Sequence, residues 1–149
     1  MTSRDQYHFL DQDIKDMSWG NVDSDWTPPQ TLPDLSQHTT VSIDLETKDS
    51  NLLTLGPGWT RKDGYVIGVA VAAGDSAWYF PIAHKSGNMS KNAVYKWLQK
   101  LCDDEKITKV FHNALYDLGW LRAEGIEVKG KIIDTMIAAP LLDENRKWY

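Results

Sequence analysis

Residues 39–47, TTVSIDLET, alternate without a break: Val41, Ile43 and Leu45 fall on one face, and Ser42, Asp44 and Glu46 on the other. This pattern predicts a strand with one face in a core, and it puts two acids side by side on the face turned away. At about 3.3 Å per residue their backbones stand roughly 7 Å apart. Paired acids on an otherwise apolar strand are costly unless water or a cation neutralises them. Two divalent ions held roughly 3.5–4 Å apart are what two-metal phosphodiester chemistry uses. Without that chemistry, the pair is an ordinary exposed strand face.

The pattern after this strand alternates between sheet and helix. Residues 48–64 read as a long loop, with turn chemistry at Gly56-Pro57-Gly58 and Asp63-Gly64. YVIGVAVAA is a nearly continuous β-branched run, which predicts a strand buried on both faces. Gly74-Asp75 turns the chain into SAWYFPIAH, an antiparallel partner whose Pro81 suits an edge or a strand end. Ser90 then caps a helix in which Val94, Trp97, Leu98 and Leu101 share a face. A short strand, ITKVFH, follows. Asn113 is expected to cap a second helix, ALYDLGWLRAEG, with Leu115, Leu118 and Leu121 at spacing three and Gly125 at its end. A last helix is expected from Asp134 to Leu142. This order predicts an α/β fold, a mixed sheet flanked by helices.

Charge divides the 149 residues in two. Residues 1–38 hold seven Asp against Arg4 and Lys15, with Pro28, Pro29 and Pro33, and read as an acidic N-terminal arm. Residues 39–149 balance 14 acids with 14 bases and read as one domain. That body is not a basic grip for nucleic acid, but carboxylates that hold divalent ions can handle phosphate through the ions. No apolar run approaches the roughly 20 residues of a membrane span, so a cytosolic location is expected. The single cysteine, Cys102, excludes an internal disulfide and reads as an apolar filler on a helix.

A third acid enters through position. Asp117 lies one turn inside the helix after the strand ITKVFH. In an α/β fold such a helix starts at the carboxyl end of its strand. Asp44 and Glu46 reach the same rim if the two strands are parallel neighbours. An acid near a helix N-terminus is also favoured by the helix dipole alone.

SIDLET resembles the first motif, and HNALYD the second, of the 3′-5′ exonuclease (proofreading) domains of family A DNA polymerases. These are polymerases of the bacterial DNA polymerase I type and its phage relatives, within the DEDD superfamily. The likeness runs on through WYFPIAH, DDEKITKV and GIEVKGKIIDTM, over about residues 39–147. It implies an RNase H-like mixed sheet and two Mg2+ or Mn2+ ions. Asp44 and Glu46 would bind the catalytic ion, with Asp44 bridging, and Asp117 would hold the second. Asn113, Tyr116 and the backbone near Glu46 and Thr47 would contact the terminal nucleotide, with Leu52 or Leu53 against its base. Asp134 matches a structural position that caps its helix.

The implied partners are the 3′ end of single-stranded DNA and a polymerase region on the same or a second chain; no membrane is implied. The family's third motif, a Tyr and an Asp three or four residues apart, lies several tens of residues beyond the second. This chain stops at Tyr149, 32 residues past Asp117. The domain is therefore expected to be C-terminally truncated, with weak metal binding and little turnover; none of His8, His38, His84 and His112 compensates. Two other readings stay open. One is an RNA-trimming exonuclease of the same superfamily. The other is a non-enzymatic half-domain of a split polymerase that docks on a second chain and exposes an apolar face near residues 132–149.

Overall fold

The structure, a computed structural model, describes residues 26–145. Its centre is a five-stranded sheet of order β3-β2-β1-β4-β5, built from β1 (Thr40–Lys48), β2 (Tyr65–Ala73), β3 (Ser76–Pro81), β4 (Thr108–Phe111) and β5 (Ile132–Asp134). β1 pairs antiparallel with β2 and parallel with β4, and β5 continues the parallel side. The mixed sheet is thus present, with β1 and β4 as parallel neighbours. The helices are α1 (Leu52–Leu55), α2 (Gly58–Arg61), α3 (Lys91–Asp103), α4 (Ala114–Ala123) and α5 (Thr135–Leu142).

Alternation in β1 becomes burial directly. Val41, Ile43 and Leu45 are buried with Val69, Val71 and Phe80 from β2 and β3, while Ser42, Asp44 and Glu46 are exposed. β2 is not buried on both faces. Val69, Val71 and Ala73 are covered, whereas Ile67, Ala70 and Ala72 are only partly so, because among the described residues no helix lies over the face they share with Asp44. Near the C-terminal end of β1 the register shifts: Glu46 pairs with Gly68 but Thr47 with Val66. Such a bulge bends the strand next to the acids.

The covered face is closed by α3, which buries Val94, Leu98, Leu101 and Cys102. Ser90 caps it by accepting from the Ala93 amide, and Phe80 meets Trp97 edge-on with centroids 5.0 Å apart. The stretch before β1 packs here as well: Leu35 is buried, and the Trp97 indole donates to the Pro33 carbonyl at 2.8 Å. Burial pushes the Cys102 thiol up to about 12, so it is the apolar filler expected and not a nucleophile. Among the described residues, no helix is long and apolar enough to cross a membrane.

Three local expectations change. The segment 48–64 is not a plain loop but carries α1 and α2. In α4 the spacing-three leucines do not share a buried face: Leu115 is 75% exposed, and the buried residues are Ala114, Asp117, Trp120 and Leu121. Asn113 does not cap α4 with its side chain. It sits at φ 63, in the left-handed region, and makes no capping bond. Asp134 does that work for two helices. Its Oδ1 accepts the Asn113 and Met136 amides at 3.0 and 2.9 Å, and its Oδ2 the Ala114 amide at 2.8 Å. Sequence reasoning matched Asp134 only to its own helix, because the second contact spans 20 residues.

Candidate active site

Asp44 and Glu46 stand on the open face of β1, both exposed. Their cross-strand neighbours on β2 are Ala70 and Gly68. Ala70 and Ala72 leave a shallow trough of about 350 Å³ beside Ser42 and Asp44, bounded also by Ala77, Val110 and Thr135.

Asp117 reaches this pair from α4. β1 and β4 pair only as far as Ser42 with Val110, and beyond that point the two strands separate. The Leu45 amide, left without a strand partner on that side, donates to Asp117 Oδ1 at 2.9 Å. A carboxylate on α4 thus completes the ladder of β1 at the one residue between the two strand acids. Asp117 is 3% exposed. Burial raises its pKa to about 6; the Leu45 hydrogen bond opposes the shift, and the negative charge of Asp44 adds to it.

The donors are hard oxygens, which suit Mg2+ or Mn2+ rather than a soft metal. Among the described residues no three His, Cys, Asp or Glu already close on one point. Asp44 and Glu46 are exposed and free to rotate, so their side chains can turn toward an ion.

The remaining predicted residues divide between two elements. Tyr116, on α4, points its hydroxyl at Thr47 Oγ1 (2.7 Å) and donates to Asp49 Oδ2 at 3.2 Å. Tyr116 has one hydrogen, and Asp49 takes it, so Thr47 is the donor in the first bond. Asn113 is exposed at the start of the same helix. Leu52 and Leu53 lie on α1, 36% and 98% exposed, well outside the core.

Asp49 is the residue that sequence reasoning missed. Its side chain is 2% exposed. Besides Tyr116 it accepts the Gly58 amide at 2.7 Å and lies 3.6 Å from the Arg61 guanidinium, an ion pair too long for a hydrogen bond. Arg61 in turn donates to the Leu55 and Gly56 carbonyls and to Asp63. Trp59 lies flat over Gly119 of α4, where a Cβ would overlap its ring. These contacts fix the segment that carries Leu52 and Leu53 against α4 and the end of β1. The sequence offered only an acid opening a loop that also contains Gly-Pro-Gly and an Arg.

Comparisons with known proteins give the family and the fold. A family described as 3′-5′ exonuclease, that of DNA polymerase A, matches residues 21–149. The DNA-directed DNA polymerase of Pseudomonas phage M6 is 36% identical over an alignment of 135 residues that covers 86% of this chain and 20% of that protein. The DNA polymerase of Escherichia phage T5 is 32% identical over 91 residues, 57% of this chain and 10% of that protein. The chain thus spans about a fifth or less of these relatives. Among solved structures, Brucella melitensis NrnC superposes with a TM-score of 0.55 at 28% identity, covering 78% of this chain and 52% of that one. Escherichia coli RNase D, an exoribonuclease, superposes with a TM-score of 0.53 at 17% identity, over 75% of this chain and 26% of that one, and supports the RNase H-like fold alone. A sheet with two acids on its central strand, a third acid bonded between them, and a family match over nearly the whole chain lead to one conclusion: this chain belongs to the 3′-5′ exonuclease family of DNA polymerase A.

Proposed function

We propose that Asp44, Glu46 and Asp117 together hold two divalent cations, Mg2+ or Mn2+, and that the protein removes nucleotides from the 3′ end of single-stranded or frayed DNA beside a polymerase. The observation that carries this reading is the Leu45–Asp117 hydrogen bond, which brings the helix acid between the strand acids. NrnC, the 28% identical relative, has been solved both with bound Mg2+ and bound to pGG. Ions bound here would lower the pKa of an attacking water and stabilise the leaving 3′-oxygen.

The chain's own residues supply the rest. Asp44 and Glu46 offer exposed oxygens to ions and water, while Asp117, held by the Leu45 amide, offers an oxygen in a fixed place. The Asn113 side chain, spared from capping, is available to the terminal nucleotide. The Thr47 hydroxyl has given its hydrogen to Tyr116, so it faces substrate as an acceptor. Leu52 and Leu53, on a segment anchored through Asp49, present apolar surface to a base.

The polymerase partner, on the same or a second chain, is proposed to cover α5. That helix has no buried residue, and Met136, Ile137, Leu141 and Leu142 are 46%, 60%, 82% and 84% exposed. The location proposed with it is the cytoplasm of a bacterial or phage-infected cell.

The test is a titration of the protein with Mn2+, followed by incubation with matched 5′-labelled single-stranded DNA and RNA. The expected result is Mn2+ binding that Asp44→Asn removes, and preferential binding or shortening of the DNA from its 3′ end. Preference for RNA would move the substrate to the RNase D kind. Absence of both Mn2+ binding and oligonucleotide binding would overturn the nuclease reading.

A further inference from the structure

The carboxylates have acceptors in plenty and no donor of their own, yet a phosphodiester is acceptor-only. Donors stand on the opposite flank from α4. Gly68 pairs with Glu46 across the sheet, and Tyr79 of β3 belongs to the same open face, in register with Ala70 and, through it, Asp44. The Tyr79 ring leans over Gly68 so closely that a Cβ there would overlap the hydroxyl oxygen. The hydroxyl therefore lies above the backbone directly beside Glu46. Its pKa is raised, first by burial and then by the Glu46 charge, as this placement requires.

Tyr79 is not alone. Its Oη lies 2.6 Å from His84 Nε2, with the rings edge-on at 5.7 Å. His84 is pinned by Asn88, whose Oδ1 accepts the His84 amide at 2.7 Å and whose Nδ2 donates to the His84 carbonyl at 2.8 Å. Trp26 also rests against Tyr79, with centroids 5.9 Å apart. A tyrosine and a neutral histidine own two polar hydrogens between them. Their mutual bond uses one, whichever residue donates it, so one donor is always left over.

We propose that Tyr79 and His84 form a phosphate-binding wall on the β2–β3 flank of the carboxylates, giving that spare hydrogen to a phosphodiester oxygen of the single strand. Gly68 is part of the device, since only the missing Cβ lets the ring reach Glu46. The proposal rests on the nuclease reading above.

Fluorescence anisotropy with a 5′-fluorescein single-stranded DNA in CaCl2 tests it, using the full chain. Tyr79→Phe keeps the ring and removes the hydroxyl; one hydrogen bond to a charged oxygen predicts about a tenfold loss of affinity. Gly68→Ala keeps the hydroxyl but displaces it, and His84→Ala removes its orienting partner; both should approach the same loss, with folding checked by melting. Neutral methylphosphonates replacing the phosphates at the 3′ end should weaken wild-type binding and erase the difference between wild type and Tyr79→Phe. A merely structural role would leave that difference in place, and such a result would overturn the assignment. Wild-type affinity in all three variants would overturn it too, with the nuclease reading intact. Failure of the wild type to bind any oligonucleotide, with Ca2+ or with Mn2+, would overturn the wall, and the nuclease reading with it if Mn2+ is not bound either.

Discussion

The three acids of the site live in two different environments. Asp44 and Glu46 stand on an open sheet face, hydrated, and their charge costs the fold little. Asp117, on the inward side of α4, is buried, with a like charge in Asp44 nearby; burial above all drives its pKa up to about 6 against the pull of the Leu45 amide. The exposed pair can be lost without harm to folding, while the buried acid is a standing cost that only a cation would offset. Binding and stability should therefore respond oppositely to the same substitutions.

The largest effect is on cations. Loss of residues that merely orient a metal ligand typically costs 10- to 100-fold in affinity, so loss of a ligand should cost no less than about a hundredfold. Asp44→Asn, Glu46→Gln and Asp117→Asn should each weaken Mn2+ binding by that order in calorimetric titration. Unchanged Mn2+ affinity in Asp117→Asn alone would break the comparison, leaving Asp117 a structural acid of β1.

Stability comes next, measured in EDTA. Asparagine at 117 still accepts the Leu45 amide but carries no charge. From the shift of Asp117 between 3.8 and about 6, Asp117→Asn should stabilise the protein by about 3 kcal/mol at pH 8. Asp44→Asn and Glu46→Gln should stay within about 0.5 kcal/mol, as exposed substitutions do. The pH dependence has a definite sign. Between 3.8 and about 6 the folded protein binds more protons at Asp117 than the unfolded chain does. Stability from this group is therefore greatest below that window, falls as pH rises through it, and is flat above. Denaturant melts of wild type and Asp117→Asn should converge near pH 4 and separate by pH 7. Parallel curves would show that burial does not perturb this acid.

Asp134 gives a smaller effect of ordinary origin. Its carboxylate satisfies amides at the starts of both α4 and α5. Burial alone would raise its pKa, but those amides and that of Ile137 hold it below the usual range. A helix cap contributes about 1 kcal/mol, so Asp134→Ala should cost between about 1 and 2 kcal/mol, with no change in Mn2+ affinity if its role is structural. A loss of Mn2+ affinity as large as that of Asp44→Asn would instead place it among the ligands.

What could be read from the chain alone follows the range of the interactions. β1 was legible because alternation is local, and Asp44 and Glu46 followed from it. A strand-to-helix junction would bring Asp117 to the same rim only if β4 lay parallel beside β1, a condition that the chain alone left open and that the sheet meets. The order inside residues 48–64 was not legible. It depends on Asp49 meeting Gly58 nine residues on and Tyr116 67 residues on, and no local pattern carries such a contact. Leu115 misled for the same reason: spacing three suggests a buried stripe, but α4 turns Asp117 inward at its start and leaves Leu115 in solvent.

Asn113 offers the finest test, because its expected stability effect is the smallest. As a capping residue it would cost about 1 kcal/mol on removal. Here its side chain caps nothing, Asp134 binds its amide, and its backbone sits at φ 63. That conformation is costly for alanine and free for glycine. Asn113→Gly should therefore change stability by less than about 0.5 kcal/mol, whereas Asn113→Ala should destabilise through backbone strain alone. If the side chain is reserved for the terminal nucleotide, Asn113→Gly should still weaken single-stranded DNA binding severalfold at unchanged Mn2+ affinity. A glycine variant that binds DNA like the wild type would leave Asn113 a left-handed hinge and nothing more.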